Sequence, residues 1–218
     1  MFGAADKRED EALAGRRTEP LPALLAEIRA VVDARAIPPT AWDSVLRAAA
    51  NPPPIQPLVA LVGHRTAGKS RLLPLICRWT GRPGVDLDRL VEERAGRSIR
   101  ELFSTDREGF RTAEREAFAS IRGPAVVATG GGFLSLHADL LRGHTAVLVP
   151  ITFDAYRERL MAESVPAGSP ARPRLRPELS LEDEIAQVFT EREALHGAAR
   201  TTPLLDFLRA TAASAPWR

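Results

Sequence analysis

The stretch Gly63-His64-Arg65-Thr66-Ala67-Gly68-Lys69-Ser70 fits the pattern G-x-x-x-x-G-K-[ST] and follows directly on the apolar run Leu58-Val59-Ala60-Leu61-Val62. The pattern works only between a buried strand and a helix, because its glycines let the backbone wrap round phosphate groups while freed amides and the helix dipole hold the negative charge. The stretch Ser70 to Thr80 reads as that helix. At average residue usage the pattern arises by chance in roughly one chain of this length in a hundred. The loop predicts a nucleotide site: Gly63, Thr66, Ala67, Gly68, Lys69, Ser70 and Arg71 hold the phosphates. Lys69 reaches the β- and γ-phosphates, and the Ser70 hydroxyl ligates Mg²⁺. Lysine occurs only at Lys7 and Lys69, and arginine supplies the other basic side chains. The loop position therefore calls for a compact ammonium on a flexible stem rather than a planar fork. Pro74, in the second turn, removes one backbone bond and predicts a kink.

Downstream, apolar runs alternate with helical stretches. Val85-Asp86, Ala125–Ala128 and Ala146–Val149 read as further short strands, and Leu204-Leu205-Asp206 as a weak fifth. Leu90 to Ala95, Arg107 to Ser120 and Asp154 to Glu163 read as helices between them. Such alternation implies βαβ units, hence an α/β fold: a three-layer parallel sheet of about five strands with helices on both faces. Residues 1–56 differ. Leu21, Leu24, Leu25, Ile28 and Val31 or Val32 fall at helical spacing, and Asp43 to Ala50 continues beyond Pro38-Pro39. Asn51-Pro52-Pro53-Pro54 then makes a stiff linker. The chain thus divides into a helical extension, 1–56, and an α/β domain, 57–218. The extension carries no chemistry of its own, which leaves contact with a protein partner or packing on the domain.

Composition excludes several classes. The net charge is only +2, and the extension shows neither a helix-turn-helix nor a dense basic face, so no nucleic-acid partner is expected. No apolar run has the roughly 20 residues that cross a bilayer, so no membrane partner is expected either. The opening residues carry both charge signs without an apolar signal core, and the single cysteine, Cys77, sits among Leu75, Ile76 and Trp79 as a core thiol. These features predict a cytoplasmic protein. His64, His137, His144 and His196 show no metal-ligand spacing.

Asp86 and Asp88 stand at the end of the second strand, where residues i and i+2 point the same way, toward the crevice beyond the carboxyl ends of the strands. One acid would hold Mg²⁺ through water, and the other would take or orient a hydroxyl proton. Further on come Arg111 with Glu114 one helical turn later, the triple glycine Gly130-Gly131-Gly132 after an apolar strand, Arg172-Pro173 in a Pro/Arg-rich loop, and Arg192-Glu-Ala-Leu. Two arginines converging on a small acid would orient it through charge-assisted bonds, and the glycines permit close backbone approach.

Together with the run from Asp86 to Phe103, these elements resemble the shikimate kinase family, in consistent order over roughly residues 57–206. The resemblance implies a P-loop kinase that uses ATP and Mg²⁺ to phosphorylate a hydroxyl of a small anionic acid, most simply shikimate to shikimate 3-phosphate. It implies that Asp88 binds the acceptor hydroxyls and is the candidate base, with Asp86 and Ser70 at the metal. Arg111, Arg192 and the amides of Gly130–Gly132 would bind the acceptor carboxylate. Arg172 would act in catalysis by closing over the phosphates as a lid at about 164–178 shuts; Arg174 and Arg176 offer further charge there.

The chain also departs from the family pattern. His196 replaces a usual tyrosine, Arg71 replaces a small hydroxyl residue, and the short tail after Asp206 predicts a final helix shortened or absent. The alternative is a metabolite-sensing domain that keeps the fold and signals through the N-terminal helices. Retention of the phosphoryl-transfer set favours the kinase.

Overall fold

The structure, a computed structural model, describes residues 21–47, 56–164 and 174–212. Strand β1, Leu58–Val62, is buried along its whole length. Successive side chains point to opposite faces of a sheet. Leu58, Ala60 and Val62 therefore enter one apolar cluster, and Val59 and Leu61 enter another. A strand wanted by two cores reads as a continuous apolar run, the mark of a parallel sheet covered on both sides.

Around β1 stand β2 (Gly84–Asp86), β3 (Ala125–Ala128), β4 (Thr145–Leu148) and β5 (Thr202–Pro203), in the order β2-β3-β1-β4-β5 and all parallel. The chain moves to one side of β1 for β2 and β3 and returns to the other for β4 and β5. This reversal opens a crevice at the carboxyl ends of β1 and β3.

The helices α1 (Leu21–Val31), α2 (Pro39–Leu46), α3 (Lys69–Thr80), α8 (Phe153–Ser164), α9 (Leu181–Ala198) and α10 (Leu204–Thr211) lie on one face. On the other lie α4 (Leu87–Ala95), α5 (Ile99–Thr105), α6 (Arg107–Ala119) and α7 (Phe133–His137), the last followed by a 3₁₀ turn at Ala138–Leu141. Helix α3 runs through Pro74, which it places on the exposed side. Among the described residues no helix is long and apolar enough to cross a membrane.

Four local expectations change. The fifth strand is Thr202–Pro203, and Leu204-Leu205-Asp206 opens α10 instead. Leu204, Phe207, Leu208 and Thr211 are buried at helical spacing, so the helical face outweighs the brief apolar run. The final helix is accordingly present but only eight residues long, and its Thr211 hydroxyl accepts from the Trp79 indole at 2.8 Å. Helix α2 begins at Pro39, earlier than Asp43, because proline is tolerated at a first helical position. Helices α5 and α9 were not expected from periodicity.

Helices α1 and α2 share the core of the α/β unit. Leu24, Leu25 and Ile28 pack in the cluster that holds Val59 and Ile76, and Trp42 and Val45 reach Phe207 and Leu208 in it. Glu27 takes two hydrogen bonds from Arg78 on α3, at 2.9 and 3.2 Å. Asp33, just past α1, accepts from the Thr152 amide at 2.8 Å and hydroxyl at 2.6 Å, at the start of α8. Arg35 grips Glu158 of α8 with both terminal nitrogens. The proline segment 51–54 lies outside the described residues.

Candidate active site

The loop after β1 adopts a shape that only particular residues permit. Gly63 and Gly68 have φ of 130° and 92°, in the left-handed half of the map. A Cβ on Gly63 would stand 2.8 Å from the Val149 carbonyl oxygen, so glycine is needed for space as well as for backbone angle. Thr66 is the one non-glycine residue with positive φ among the described residues, at 59°. A β-branched residue there is strained. Arg159 of α8 holds the Thr66 carbonyl at 2.7 Å, and the buried Thr66 hydroxyl has no partner among the described residues. Lys69 is almost fully buried, and its ammonium donates to the carbonyls of Gly63 at 2.9 Å and His64 at 2.5 Å.

Two cavities of about 550 and 560 Å³ open beside this loop. The second contains Thr66, Gly68, Lys69, Ser70 and Arg71, with Arg159 and Glu163 across from them. The first contains Asp86, Arg111, Gly132 and Arg192, with Phe103 and Phe110 as an apolar wall. Ser70, Asp88, Gly130 and Gly131 border both, so a group passing from one cavity to the other crosses this seam. Gly63 and Ala67 are not on these walls. The Ala67 methyl is fully buried in the core.

The two aspartates reach the crevice by a different route from the one the i, i+2 rule suggests. Asp86 ends β2 and caps α4, its carboxylate accepting from the Arg89 amide at 3.4 Å, whereas Asp88 lies in the first turn of α4. The strand stops between them, and the helix start turns Asp88 onto the seam while Asp86 borders only the first cavity.

Arg111 and Arg192 converge on one turn. A Cβ on Gly132 would lie 3.3 Å from Arg192 Nη2 and 3.6 Å from Arg111 Nη2, so both guanidinium groups close on this glycine. Arg111 donates to the buried carboxylate of Glu114 at 2.9 Å, and His137 Nε2 lies 3.2 Å from the same oxygen. Arg192 is only 9% exposed, and its Nη1 has no partner among the described residues. Burial lowers its pKa; Tyr156 works against that shift, while the nearby charges of Arg65 and Arg111 add to it. Gly130 and Gly131 are required for proximity rather than for φ. A Cβ on Gly130 would meet Glu114 Oε1 at 2.8 Å, and one on Gly131 would meet the Arg65 side chain at 2.5 Å and its amide nitrogen at 2.7 Å.

Arg65 was missed from sequence. It occupies a variable position of the loop motif, and only the fold brings it against the acceptor cavity. His137 and Phe103 were missed likewise, being a polar residue at the end of α7 and a core-type aromatic on α5. Arg172 lies outside the described residues. Arg174 and Arg176 line neither cavity. Arg174 is bound to Glu184 and to the Leu179 carbonyl, and Arg176 is bound to Glu191, all three on or next to α9. Burial pushes the Cys77 thiol up to about 11, as suits a core thiol. The histidine expectation also changes. His64 of the loop and His196 of α9 meet around Glu193, which their separation in sequence conceals.

The residues present suit the ligands expected. Ser70 and Asp86 are hard oxygen donors beside one cavity, the chemistry Mg²⁺ prefers. The glycine cradle, the buried ammonium and the unpartnered Thr66 hydroxyl suit a polyphosphate.

A parallel α/β sheet with a phosphate loop after its central strand, joined to a cavity ringed by arginines, defines a P-loop kinase of small anionic metabolites. The comparisons then name the family. The shikimate kinase family model matches residues 65–206. A shikimate kinase of Rhodopirellula baltica is 34% identical over 145 residues, covering 64% of this chain and 76% of that protein. One from Chlorobium luteolum is 30% identical over 158 residues, covering 68% and 77%. The solved shikimate kinase of Acinetobacter baumannii, in complex with shikimate, shares the fold with a TM-score of 0.57 at 24% identity, over 71% of this chain and 89% of that one. The chain belongs to the shikimate kinase family, whose members are ATP-dependent kinases.

Proposed function

We propose that this protein moves the γ-phosphate of ATP onto a hydroxyl of shikimate, giving shikimate 3-phosphate. The observation that carries this reading is the convergence of Arg192 and Arg111 on Gly132. Arg192 is nearly buried, has an unpartnered Nη1, and feels the repulsion of two other guanidinium groups. Such a cluster favours a small carboxylate that can take bonds from both arginines. Glu114 fixes the Arg111 fork from behind, so the clamp is set before the acid arrives.

With the carboxylate at that end, the acceptor hydroxyls lie toward the seam. Asp88 borders both cavities, which supports its accepting the hydroxyl proton or aiming the oxygen. Lys69 releases the Gly63 and His64 carbonyls to follow the transferred group, and Ser70 with Asp86 holds the cation. Mg²⁺, when bound, neutralises charge on the phosphates. Arg172 is assigned to the phosphates by family resemblance, on a lid at about 164–178 whose described end is anchored to α9 through Arg174 and Arg176. Residues 57–218 make up the catalytic unit, and the described residues 21–47 of the extension brace it.

The test is ADP release by the full-length protein with shikimate, run against quinate and other small hydroxy acids, with the product identified by mass. The expected result is stoichiometric shikimate 3-phosphate. Binding of the acid without ADP release would overturn the kinase reading in favour of metabolite sensing.

A further inference from the structure

His64, Glu193 and His196 form a cluster that phosphoryl transfer does not use. His64 Nε2 lies 2.7 Å from Glu193 Oε1, and His196 Nδ1 lies 3.5 Å from the same oxygen. One ligand atom from each of the three falls within 4.8 Å of the others. His64 is 2% exposed and His196 4%, yet His196 Nε2 has no hydrogen-bond partner among the described residues and Nδ1 has only the long approach to Glu193. A buried imidazole must carry a donor on one nitrogen or the other, and leaving it unmade costs about 1–3 kcal/mol. The group points into the cluster without a purpose that hydrogen bonding explains.

We propose that these three residues bind a divalent first-row transition metal, with Zn²⁺ as the ion best suited to the donor set. Glu193 and His196 stand at i, i+3 on α9, the Glu-x-x-His spacing that puts both ligands on one helix face. His64 comes from the phosphate loop, its ring held by stacking on Phe189 at 4.3 Å. Four-coordinate zinc with bonds near 2.0–2.1 Å places its ligands about 3.4 Å apart. The separations, from 2.7 Å to at most 4.8 Å, bracket that value, so the widest gap has to close by no more than about 1.4 Å, shared between two side chains. Burial disfavours protonation of both histidines, keeping them in the neutral form that ligates. Glu193 is half-exposed, so the ion has a way in and a solvent molecule has the fourth position. A bound ion would tie the phosphate loop to the helix that carries Arg192 one residue before Glu193, and so join the two halves of the crevice through a contact remote from the seam.

Chelator-stripped full-length protein, held in millimolar Mg²⁺ to saturate hard oxygen sites, is titrated with Zn²⁺ and separately with Co²⁺. The expected result is one Zn²⁺ per chain, a visible Co²⁺ spectrum of four-coordinate strength, and a melting temperature that rises with Zn²⁺ as mass action requires. Glu193→Gln keeps a hydrogen-bonding side chain at a half-exposed position and should weaken Zn²⁺ binding at least tenfold. His196→Gln should do the same. Zinc that binds equally well to both variants, or no binding at micromolar concentrations with the fold intact by circular dichroism, would overturn the proposal and leave a histidine–glutamate latch.

Discussion

The two halves of the crevice are built by opposite means. The phosphate half is one continuous segment, Gly63 to Ser70, acting largely through its backbone, with Lys69 as its buried cation. The acceptor half is assembled from residues on α4, α5, α6, α9 and the glycine turn after β3, spread along the chain from Asp86 to Arg192. A local loop keeps its geometry if its own glycines and flanking elements are in place. The acceptor half depends on how the helices pack, so its guanidinium groups need buried supports such as Glu114. Phosphate recognition should therefore fail through single residues, and acceptor recognition through residues and their supports together.

The largest effect falls on the phosphate half. Lys69→Ala removes the cation that follows the transferring group, and kcat should drop by about a thousandfold, at the upper end for one preorganised contact. A rate within tenfold of wild type, measured by ADP release, would mean the loop does not serve the reaction. Asp88→Asn comes next because it sits on the seam and belongs to neither half alone. It keeps shape and hydrogen bonding but loses the basic oxygen, so kcat should fall about a hundredfold with both KM values little changed. A mild effect would reduce Asp88 to positioning, since phosphoryl transfer relies mainly on geometry and charge. Arg192→Ala tests the other half. It should raise the acceptor KM by about fiftyfold, within the 1.5–3 kcal/mol of a charged hydrogen bond, and leave the ATP KM within about twofold. Equal changes in both would erase the distinction between the halves.

The same contrast explains what the sequence revealed. The phosphate half was legible because its residues are contiguous and flanked by the strand and helix they require. So was the sheet, since β1 and β3 are runs of buried apolar residues, β4 is buried at its centre, and all three lie within a residue of their expected bounds. Helix α9 was not legible as a helix. Its buried positions are Glu184, Ile185, Val188, Arg192 and His196, so three of the five are polar and the apolar stripe is broken on the face that meets the site. Its outward side adds exposed Leu195, which blurs the pattern further. Arg192 was found only through family resemblance, and the meeting of His64 with His196 was invisible, because contact across 132 positions leaves no trace in spacing.

The smallest effect sharpens the comparison from outside the crevice. Among the described residues the N-terminal segment meets the phosphate half: Val31 packs against Gly68, where an added Cβ would lie 3.3 Å from its Cγ1, and Asp33 holds the start of α8, whose Arg159 grips Thr66. Burial raises the Asp33 pKa, but the bonds from Thr152 and Arg35 more than offset it, and the net value lies below 3.8. A carboxylate lowered in the folded state stabilises it fully above its unfolded value, near pH 4, and loses that contribution as pH falls through the folded value. Asp33→Ala should thus melt below wild type at pH 7, by about 1–3 kcal/mol for a buried amide and hydroxyl left unmade at Thr152. That difference should shrink as pH drops below about 4. In turnover, loosening α8 should raise the ATP KM by about threefold, roughly half a typical hydrogen bond, while the shikimate KM stays unchanged. An acceptor KM that moves as much as the ATP KM would mean that the brace supports the whole crevice and that the two halves are mechanically one.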